Sequence, residues 1–156
     1  MSKIVSYRLE LDAKQHPVLV KEKQMKYESE KCSSAADVVE VCNKMFRMKY
    51  QAEEIVCLAT LDNAGHLTGL FKFSQGCCDS AICRPREIFI RVLLAGASGM
   101  CLVHNHTSGE AEPSTEDLIC IDEIKKAGVL MGIRLLDFII IGKNTYYSAA
   151  EEGILT

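Results

Sequence analysis

Two histidines one residue apart, followed by a serine and an aspartate, are the residues of this chain best suited to chemistry. The segment VHNHTSGEAEPSTED contains His104 and His106, and after a polar loop Ser114 and Asp117. If a strand precedes the loop, both imidazoles project from one face of it, because side-chain direction alternates along a strand. Two neutral imidazoles that converge on one point are typical zinc ligands, and a catalytic zinc usually takes three protein ligands.

Asp117 is the natural candidate for the third ligand. It lies three residues after Ser114, and a carboxylate in the first turn of a helix is favoured by the helix N-terminus. Each piece also has an explanation without a metal. Ser-Thr-Glu-Asp is a capping box by itself, and His-x-His on a strand is often two partly exposed residues at a sheet edge. From the spacing alone, a metal site and a strand followed by a capped helix both stay open.

The first third of the chain predicts two strands and a helix. Residues 3–11 alternate apolar and polar, which indicates a half-buried strand, and residues 16–23 follow a turn as a second one. A charged stretch, 21–31, leads to a capping box at Ser34-Ala-Ala-Asp37. This pattern predicts a helix over 37–50, with its apolar residues at helical spacing.

The middle of the chain is rich in β-strand patterns. Residues 54–62 and 66–75 predict a hairpin around the tight turn Asn63-Ala64-Gly65. Arg84-Pro85 begins a helix that continues to residue 98, with Pro near the first turn, where its missing N–H costs least. The apolar run at 99–103 has the length of a buried strand, so we place it in the middle of a sheet.

The motif is followed by a helix, a strong strand and a short hairpin. The helix is predicted from Ser114 to about Ala127, ending near Gly128, and the strand over 134–142. A turn then leads into TYYS at 145–148, and a last helical turn closes the chain. The order β-β-α-β-β-α-β-α-β-β indicates one α/β or α+β domain with a mixed sheet.

Length and composition fit one globular domain over residues 1–156, because a chain of this size can bury most of its apolar surface. The formal net charge of −3 argues against nucleic acid as the main partner, and we find no convincing nucleic-acid footprint. No apolar run is long enough to span a membrane, and the N-terminus does not resemble a signal peptide. We therefore expect a cytoplasmic protein with no membrane partner.

The eight cysteines are expected to be reduced thiols. Most lie within apolar segments, where free Cys behaves as a small buried hydrophobe. Only Cys77, Cys78 and Cys83 cluster, and they lack the Cys-x-x-Cys spacing of a structural zinc site.

The pattern His-x-His, seven residues, Ser, two residues, Asp resembles the JAMM motif of the JAB/MPN+ zinc metallopeptidases. Flanking segments are also similar to that family: 54–62 to its first motif strand, 85–89 to its central helix, and 136–142 with 147–148 to its closing strands. The resemblance covers roughly residues 50 to 155 and is strongest to the RadC-like branch.

This resemblance implies a fold and a division of the chain. The fold is a JAB/MPN-like mixed β-sheet flanked by helices, a cytidine-deaminase-like three-layer arrangement. Residues 51–156 would form the metallopeptidase core, and residues 1–50 would add N-terminal strands and a helix.

The resemblance also implies a site. His104, His106 and Asp117 would hold Zn²⁺, and a Glu of the first motif strand would act as general acid/base on the attacking water. Counting back from Asp62 gives Glu54, with Glu53 as the adjacent alternative, and only one of them can face the metal. Ser114 would support the oxyanion of the tetrahedral intermediate. The implied reaction is hydrolysis of an amide bond in a peptide or isopeptide.

The chain departs from the family pattern in two places. Thr107 replaces the usual Pro after the second His, and the loop reads Glu-Ala-Glu-Pro at 110–113 instead of Asp-Pro-Thr-Pro. These positions shape the loop and are not ligands. RadC-like proteins commonly carry an N-terminal helix-hairpin-helix domain, whereas residues 1–50 show no such pattern, so the sequence gives a DNA-repair role no support.

Several other functions remain to be weighed. His-Asn-His does not make an HNH nuclease, because that name refers to dispersed residues, and the motifs of zinc deaminases and of His-Glu-x-x-His proteases are absent. The alternatives are a non-catalytic JAB/MPN-type interaction module and a DNA-repair or mobile-element-associated RadC-like protein. The short loops after Asp62 and His106 do not suggest ubiquitin as the substrate. The apolar strand DFIII could be central or could pair across a homo-oligomer.

Overall fold

The computed structural model describes residues 2–29, 31–75 and 84–156. Within this part, the elements follow the predicted order, with one 3₁₀ turn added. They are β1 (Ser2–Leu11), β2 (Pro17–Tyr27), α1 (Ala35–Phe46), the 3₁₀ turn Met48–Tyr50, β3 (Ile55–Leu61), β4 (Leu67–Gln75), α2 (Pro85–Leu94), β5 (Gly99–Asn105), α3 (Thr115–Met131), β6 (Arg134–Ile141) and β7 (Tyr146–Ser148).

All of these strands belong to one mixed sheet in the order β2-β1-β4-β3-β5-β6-β7. The pairs β1–β2, β3–β4, β3–β5 and β6–β7 are antiparallel, whereas β5–β6 and β1–β4 are parallel. The apolar run at 99–103 is therefore central, as predicted, and the strand that contains DFIII also lies inside the sheet. In β5, His104 lies between Val103 and Asn105, which are both buried.

Helices cover both faces of the sheet. The central strands carry apolar residues on both faces, and these residues must be shielded from water. Cys57 and Ala59 of β3 face α1, together with Val103 of β5. Val56 and Leu58 face the opposite way, toward α2 and α3. This arrangement confirms the predicted α+β fold with a mixed sheet between helical layers. It puts His104 on the α2–α3 face and Asn105 on the α1 face.

The end of α1 differs from the prediction. The helix was expected to continue to residue 50, but it ends at Phe46, because Arg47 adopts a left-handed conformation with φ of 51°. The N–H of Arg47 donates to the Asn43 carbonyl at 2.8 Å, and the chain then turns so that Met48 is fully buried. Arg at this position gives no sequence signal for a helix end, since the left-handed conformation favours Gly or Asn.

The end of α3 also differs from the prediction, because Gly128 is not the residue that stops it. The helix continues to Met131, and Gly132 forms the C-cap with φ of 68°. Gly128 has a different role, because a Cβ there would collide with the Ile133 carbonyl oxygen, and only Gly leaves room for it. The Ile133 N–H in turn donates to the Gly128 carbonyl at 2.9 Å and closes the helix end.

Three further boundaries shift for local reasons. β2 extends past the predicted residue 23, because β1 pairs with it as far as Tyr27. α2 ends at Leu94 and not at residue 98, because the chain leaves the helix before Gly96, which has a φ of 64°. After β7 the chain forms hydrogen-bonded turns where a last helical turn was predicted.

The thiols of Cys32, Cys42, Cys57 and Cys101 are free, as predicted. The group Cys77, Cys78 and Cys83 lies outside the described residues. Across the described ranges, no helix is long and apolar enough to cross a bilayer.

Candidate metal centre

The two histidines lie at the end of β5, where the strand meets the loop that leads to α3. His104 is the last residue but one of the strand, and His106 follows it, with its backbone N–H donating to the Ile141 carbonyl of β6 at 3.0 Å. This bond prolongs the strand pairing past Asn105, so the period of two is kept. The imidazoles lie edge to face with centroids 4.8 Å apart, and the Phe138 ring packs against His104 at 5.5 Å.

The helix α3 brings a carboxylate to the same point. Ser114 is its N-cap: the Ser114 Oγ accepts the Asp117 N–H at 3.1 Å, and Asp117 Oδ2 accepts the Ser114 N–H at 2.8 Å. This capping box aims the Asp117 carboxylate back toward β5. Asp117 Oδ1 lies 3.0 Å from His104 Nε2, and Oδ2 lies 3.3 Å from His106 Nε2.

The three side chains together could hold a metal ion. Their ligand atoms all lie within 4.8 Å of one another. Ligands at the usual distance of about 2.0–2.2 Å from a tetrahedral zinc are separated by about 3.3 Å, which is close to the two imidazole–carboxylate distances. His104, His106 and Asp117, predicted from the motif, are thus brought together as a group that could hold a metal ion.

Buried polar atoms in this cluster lack hydrogen-bond partners. His104 and Asp117 are each 1% exposed, and His104 Nε2 and Asp117 Oδ1 make no hydrogen bond, although they lie close together. Buried polar groups in proteins are nearly always paired, because an unpaired one loses its water without compensation. A cation that both atoms bind would satisfy them, so the pattern matches a metal site better than an ordinary His–Asp contact.

The backbone fixes which nitrogen of His106 faces the cluster. Its Nδ1 lies 3.1 Å from the Glu110 carbonyl oxygen, which can only accept a hydrogen bond. Nδ1 is therefore the nitrogen that donates to this carbonyl, and Nε2 is the nitrogen that faces Asp117. A hydrogen bond from the second ring nitrogen to a carbonyl is the usual support of a metal-binding histidine. Glu110 is one of the loop residues that depart from the family pattern, but its contribution comes from the backbone.

The electrostatics of the cluster favour a cation. Burial by itself raises the pKa of Asp117, but the two imidazoles and the Ser114 N–H outweigh it and hold that pKa well below its usual range. Contact with the Asp117 carboxylate raises the pKa of His106 against the effect of burial, and the charge of Glu54 adds to the rise. Asp117 is therefore ionised at neutral pH and supplies a negative charge to the cluster.

The two candidate bases precede β3, next to the end of β5. Val56 pairs with His104, and an extension of this antiparallel register by two residues would put Glu54 opposite His106. Glu54 has the same parity as Val56, which faces α2 and α3 together with His104, whereas Glu53 has the opposite parity. Both glutamates are exposed. The segment that carries both glutamates therefore faces solvent.

Asn105 contributes to the site in a way that the sequence analysis missed. Its side chain accepts the Ile55 N–H at 2.7 Å and donates to the Glu53 carbonyl at 3.0 Å. It thus holds the residues on both sides of Glu54 from the opposite face of the sheet. The signal in the sequence was an Asn between two histidines at the end of an apolar strand, a position that is usually apolar when it is buried.

Comparison with known proteins agrees with this geometry. A family model described as RadC-like JAB domain matches residues 32–154. A UPF0758 protein of Thermotoga maritima is 34% identical over 126 residues, which cover 81% of this chain and 55% of that protein. UPF0758 proteins of Alkaliphilus metalliredigens and Pelobacter propionicus are 37% and 38% identical, over 71% and 65% of this chain and 48% and 44% of their own lengths.

The chain spans about half the length of the curated relatives that it matches. The matched region begins in the loop before α1 and so extends further toward the N-terminus than the predicted resemblance, which began near residue 50. It includes the strand that carries both histidines, the helix that carries Asp117 and the segment that carries both glutamates. With this match over most of its length, the chain belongs to the RadC-like JAB domain family.

Proposed function

We propose that this domain is a zinc-dependent hydrolase of amide bonds, acting on a peptide or protein as a metallopeptidase or isopeptidase. The observation that supports this most is the cluster of His104, His106 and Asp117, in which His104 Nε2 and Asp117 Oδ1 are buried without hydrogen-bond partners. When bound, zinc would supply a Lewis acid that polarises the amide carbonyl and lowers the pKa of water to about 7.

In this proposal Glu54 moves the proton. Its carboxylate accepts a proton from the attacking water and returns it to the leaving amine, as a general base and then a general acid. The strand register supports Glu54 over Glu53, because Glu54 has the same parity as Val56, which pairs with His104. The influence of its charge on the pKa of His106 also supports a position near the cluster.

Ser114 is proposed to stabilise the oxyanion. Its Oγ accepts the Asp117 N–H, and among the described residues none accepts the hydroxyl hydrogen of Ser114. Capping α3 and donating to an oxyanion are therefore compatible, since the first uses a lone pair and the second uses the hydrogen. Preorganised donors of this kind contribute most where charge develops in the transition state.

A peptide-library cleavage assay tests the proposal. We expect zinc-loaded protein to cleave a subset of peptides and chelator-treated protein to cleave none. Glu54→Gln should keep its zinc and lower the rate by about 10²–10⁴-fold, the usual contribution of a general base. Glu53→Gln is the matched control, with the same charge change one residue away, and should retain activity.

Two outcomes would contradict parts of this proposal. A loss of cleavage in Glu53→Gln alone would assign the base to Glu53. Zinc-loaded protein that cleaves no peptide or isopeptide would argue for the interaction module in place of the enzyme.

A further inference from the structure

A cleft of about 380 Å³ lies beside His106, on the α1 side of the sheet. One wall is the 3₁₀ turn after α1, which contributes Lys49 and Tyr50. The other wall is the turn between β6 and β7, which contributes Lys143. His106 belongs both to this cleft and to the metal cluster, so the two meet at the end of β5.

The charge of the cleft is opposite to that of the whole chain. The sequence has 21 acidic and 18 basic residues, yet Lys49 and Lys143 line the cleft and no Asp or Glu is among the described residues that do. Both lysines are exposed. Asn105 also lines the cleft, but its amide is already bonded to Ile55 and Glu53. The charged groups that the cleft offers to a ligand are therefore the two ammonium groups.

An exposed aromatic ring adds to the first wall. Tyr50 is 72% exposed, and its ring lies 5.4 Å from the Arg47 guanidinium and 6.0 Å from the Lys49 ammonium. The left-handed conformation of Arg47 turns the chain here, and the Lys49 N–H donates to Asn43 Oδ1 at 2.9 Å. A non-Gly residue in this conformation is strained, and such strain is frequent at functional sites. The turn thus presents a ring and positive charges to solvent.

Backbone contacts hold the second wall. The Lys143 N–H donates to the Gly109 carbonyl at 2.8 Å. A Cβ on Gly142 would lie 2.6 Å from the same oxygen, so only Gly allows this close approach. The loop after His106 and the β6–β7 turn are thereby fastened together, which lowers the entropy that the cleft would lose on binding a ligand.

We propose that this cleft binds an acidic segment of the peptide substrate, whose carboxylates pair with Lys49 and Lys143. The assignment rests on the proposed function, because it takes the metal cluster as the place of the scissile bond. Charge complementarity favours an acidic ligand, and the open, ring-lined wall suits an extended peptide.

Peptide binding tests the assignment without relying on cleavage. Three labelled peptides that differ only in carrying Glu, Gln or Lys at the same positions are titrated, by fluorescence anisotropy, into zinc-loaded protein with the Glu54→Gln substitution. We expect the Glu peptide to bind about fivefold to tenfold more tightly than the Gln peptide, as partly exposed charge pairs allow. Lys49→Glu and Lys143→Glu should each abolish this preference, and the double variant should favour the Lys peptide.

Lys21→Glu is the matched control. It changes the net charge equally, but Lys21 is exposed on β2, the edge strand at the far end of the sheet from the cleft. Lys49→Gln and Lys143→Gln form a second pair of test variants, which remove the positive charge without adding a negative one. Thermal melting checks that every variant is folded. Equal affinity for the three peptides, or an equal loss in Lys21→Glu, would overturn the assignment.

The two proposals fail in different ways. Charge-dependent binding without cleavage would support the cleft and contradict only the hydrolytic activity. Cleavage with no preference among the three peptides would support the activity and overturn the acidic-segment assignment.

Discussion

The side-chain oxygen of Asn105 accepts the backbone N–H of Ile55 at 2.7 Å, fifty residues away in the sequence. The nitrogen of the same amide donates to the Glu53 carbonyl at 3.0 Å. One buried side chain therefore fixes both peptide neighbours of Glu54 to the end of the strand that carries His104. The distance between the proposed base and the metal cluster depends on these two bonds, because the segment 51–54 precedes the ladder of β3.

We predict that Asn105→Ala destabilises the fold and separates metal binding from catalysis. The buried Ile55 N–H loses its partner, which costs about 1–3 kcal/mol of unfolding free energy. Zinc content should stay unchanged, since the three ligands are untouched, while hydrolysis falls. Urea denaturation and metal analysis measure the two effects. Asn43→Ala is the control: its amide accepts an exposed N–H at 2.9 Å and should cost less than about 1 kcal/mol.

Much of the candidate site was predictable from local rules. The alternation of β5 predicts that His104 and His106 share a face, and the Ser-x-x-Asp pattern predicts the capping box that aims Asp117. The structure agrees with both expectations. These features depend on residues within one strand or one helical turn, so the sequence contains what is needed to infer them.

Features that depend on distant contacts were not predictable. The parallel pairing of β1 with β4 follows from the assembly of the whole sheet. The role of Asn105 depends on a strand about fifty residues away. The requirement for Gly at position 128 depends on the close approach of the Ile133 carbonyl. The end of α1 at Arg47 is similar, because burial of Met48 outweighs the conformational preference of Arg.

Removal of a single ligand should abolish zinc binding. We expect about one zinc per chain in the wild type and none in His104→Ala or Asp117→Ala, because two remaining ligands do not form a closed site. Asp117→Asn keeps an oxygen that can cap α3, so it separates loss of the metal from loss of the cap. Inductively coupled plasma mass spectrometry gives the stoichiometry. His66→Ala, in the exposed β3–β4 turn, should retain zinc, and full occupancy in both ligand variants would refute the site.

The buried Asp137 should give stability a specific pH dependence. Burial raises its pKa above the usual value, although Ser148 Oγ donates to it at 2.6 Å and the Phe138 and Ala150 N–H groups also donate. The folded state holds the Asp137 proton more tightly than the unfolded state does. The contribution of this proton to the unfolding free energy is therefore complete below the unfolded pKa of about 3.9, and it is lost as pH rises through the folded pKa.

The measurement compares wild type with Asp137→Asn, which does not titrate at this position. The unfolding free energy of the wild type relative to the variant should fall as pH rises from about 4 through the folded pKa of Asp137. A difference that stays constant or grows over this window would contradict the raised pKa.

The two capping boxes allow a matched test of Ser114. Ser34 caps α1 as Ser114 caps α3, with an Asp at the third helical position in both, and Oγ–N distances of 3.2 and 3.1 Å. Ser34→Ala and Ser114→Ala should therefore each cost about 1 kcal/mol of unfolding free energy. Only Ser114→Ala should also lower the rate of hydrolysis, by about 10²–10³-fold, if its hydroxyl donates to the oxyanion. Equal rates in the two variants would leave Ser114 a helix cap alone.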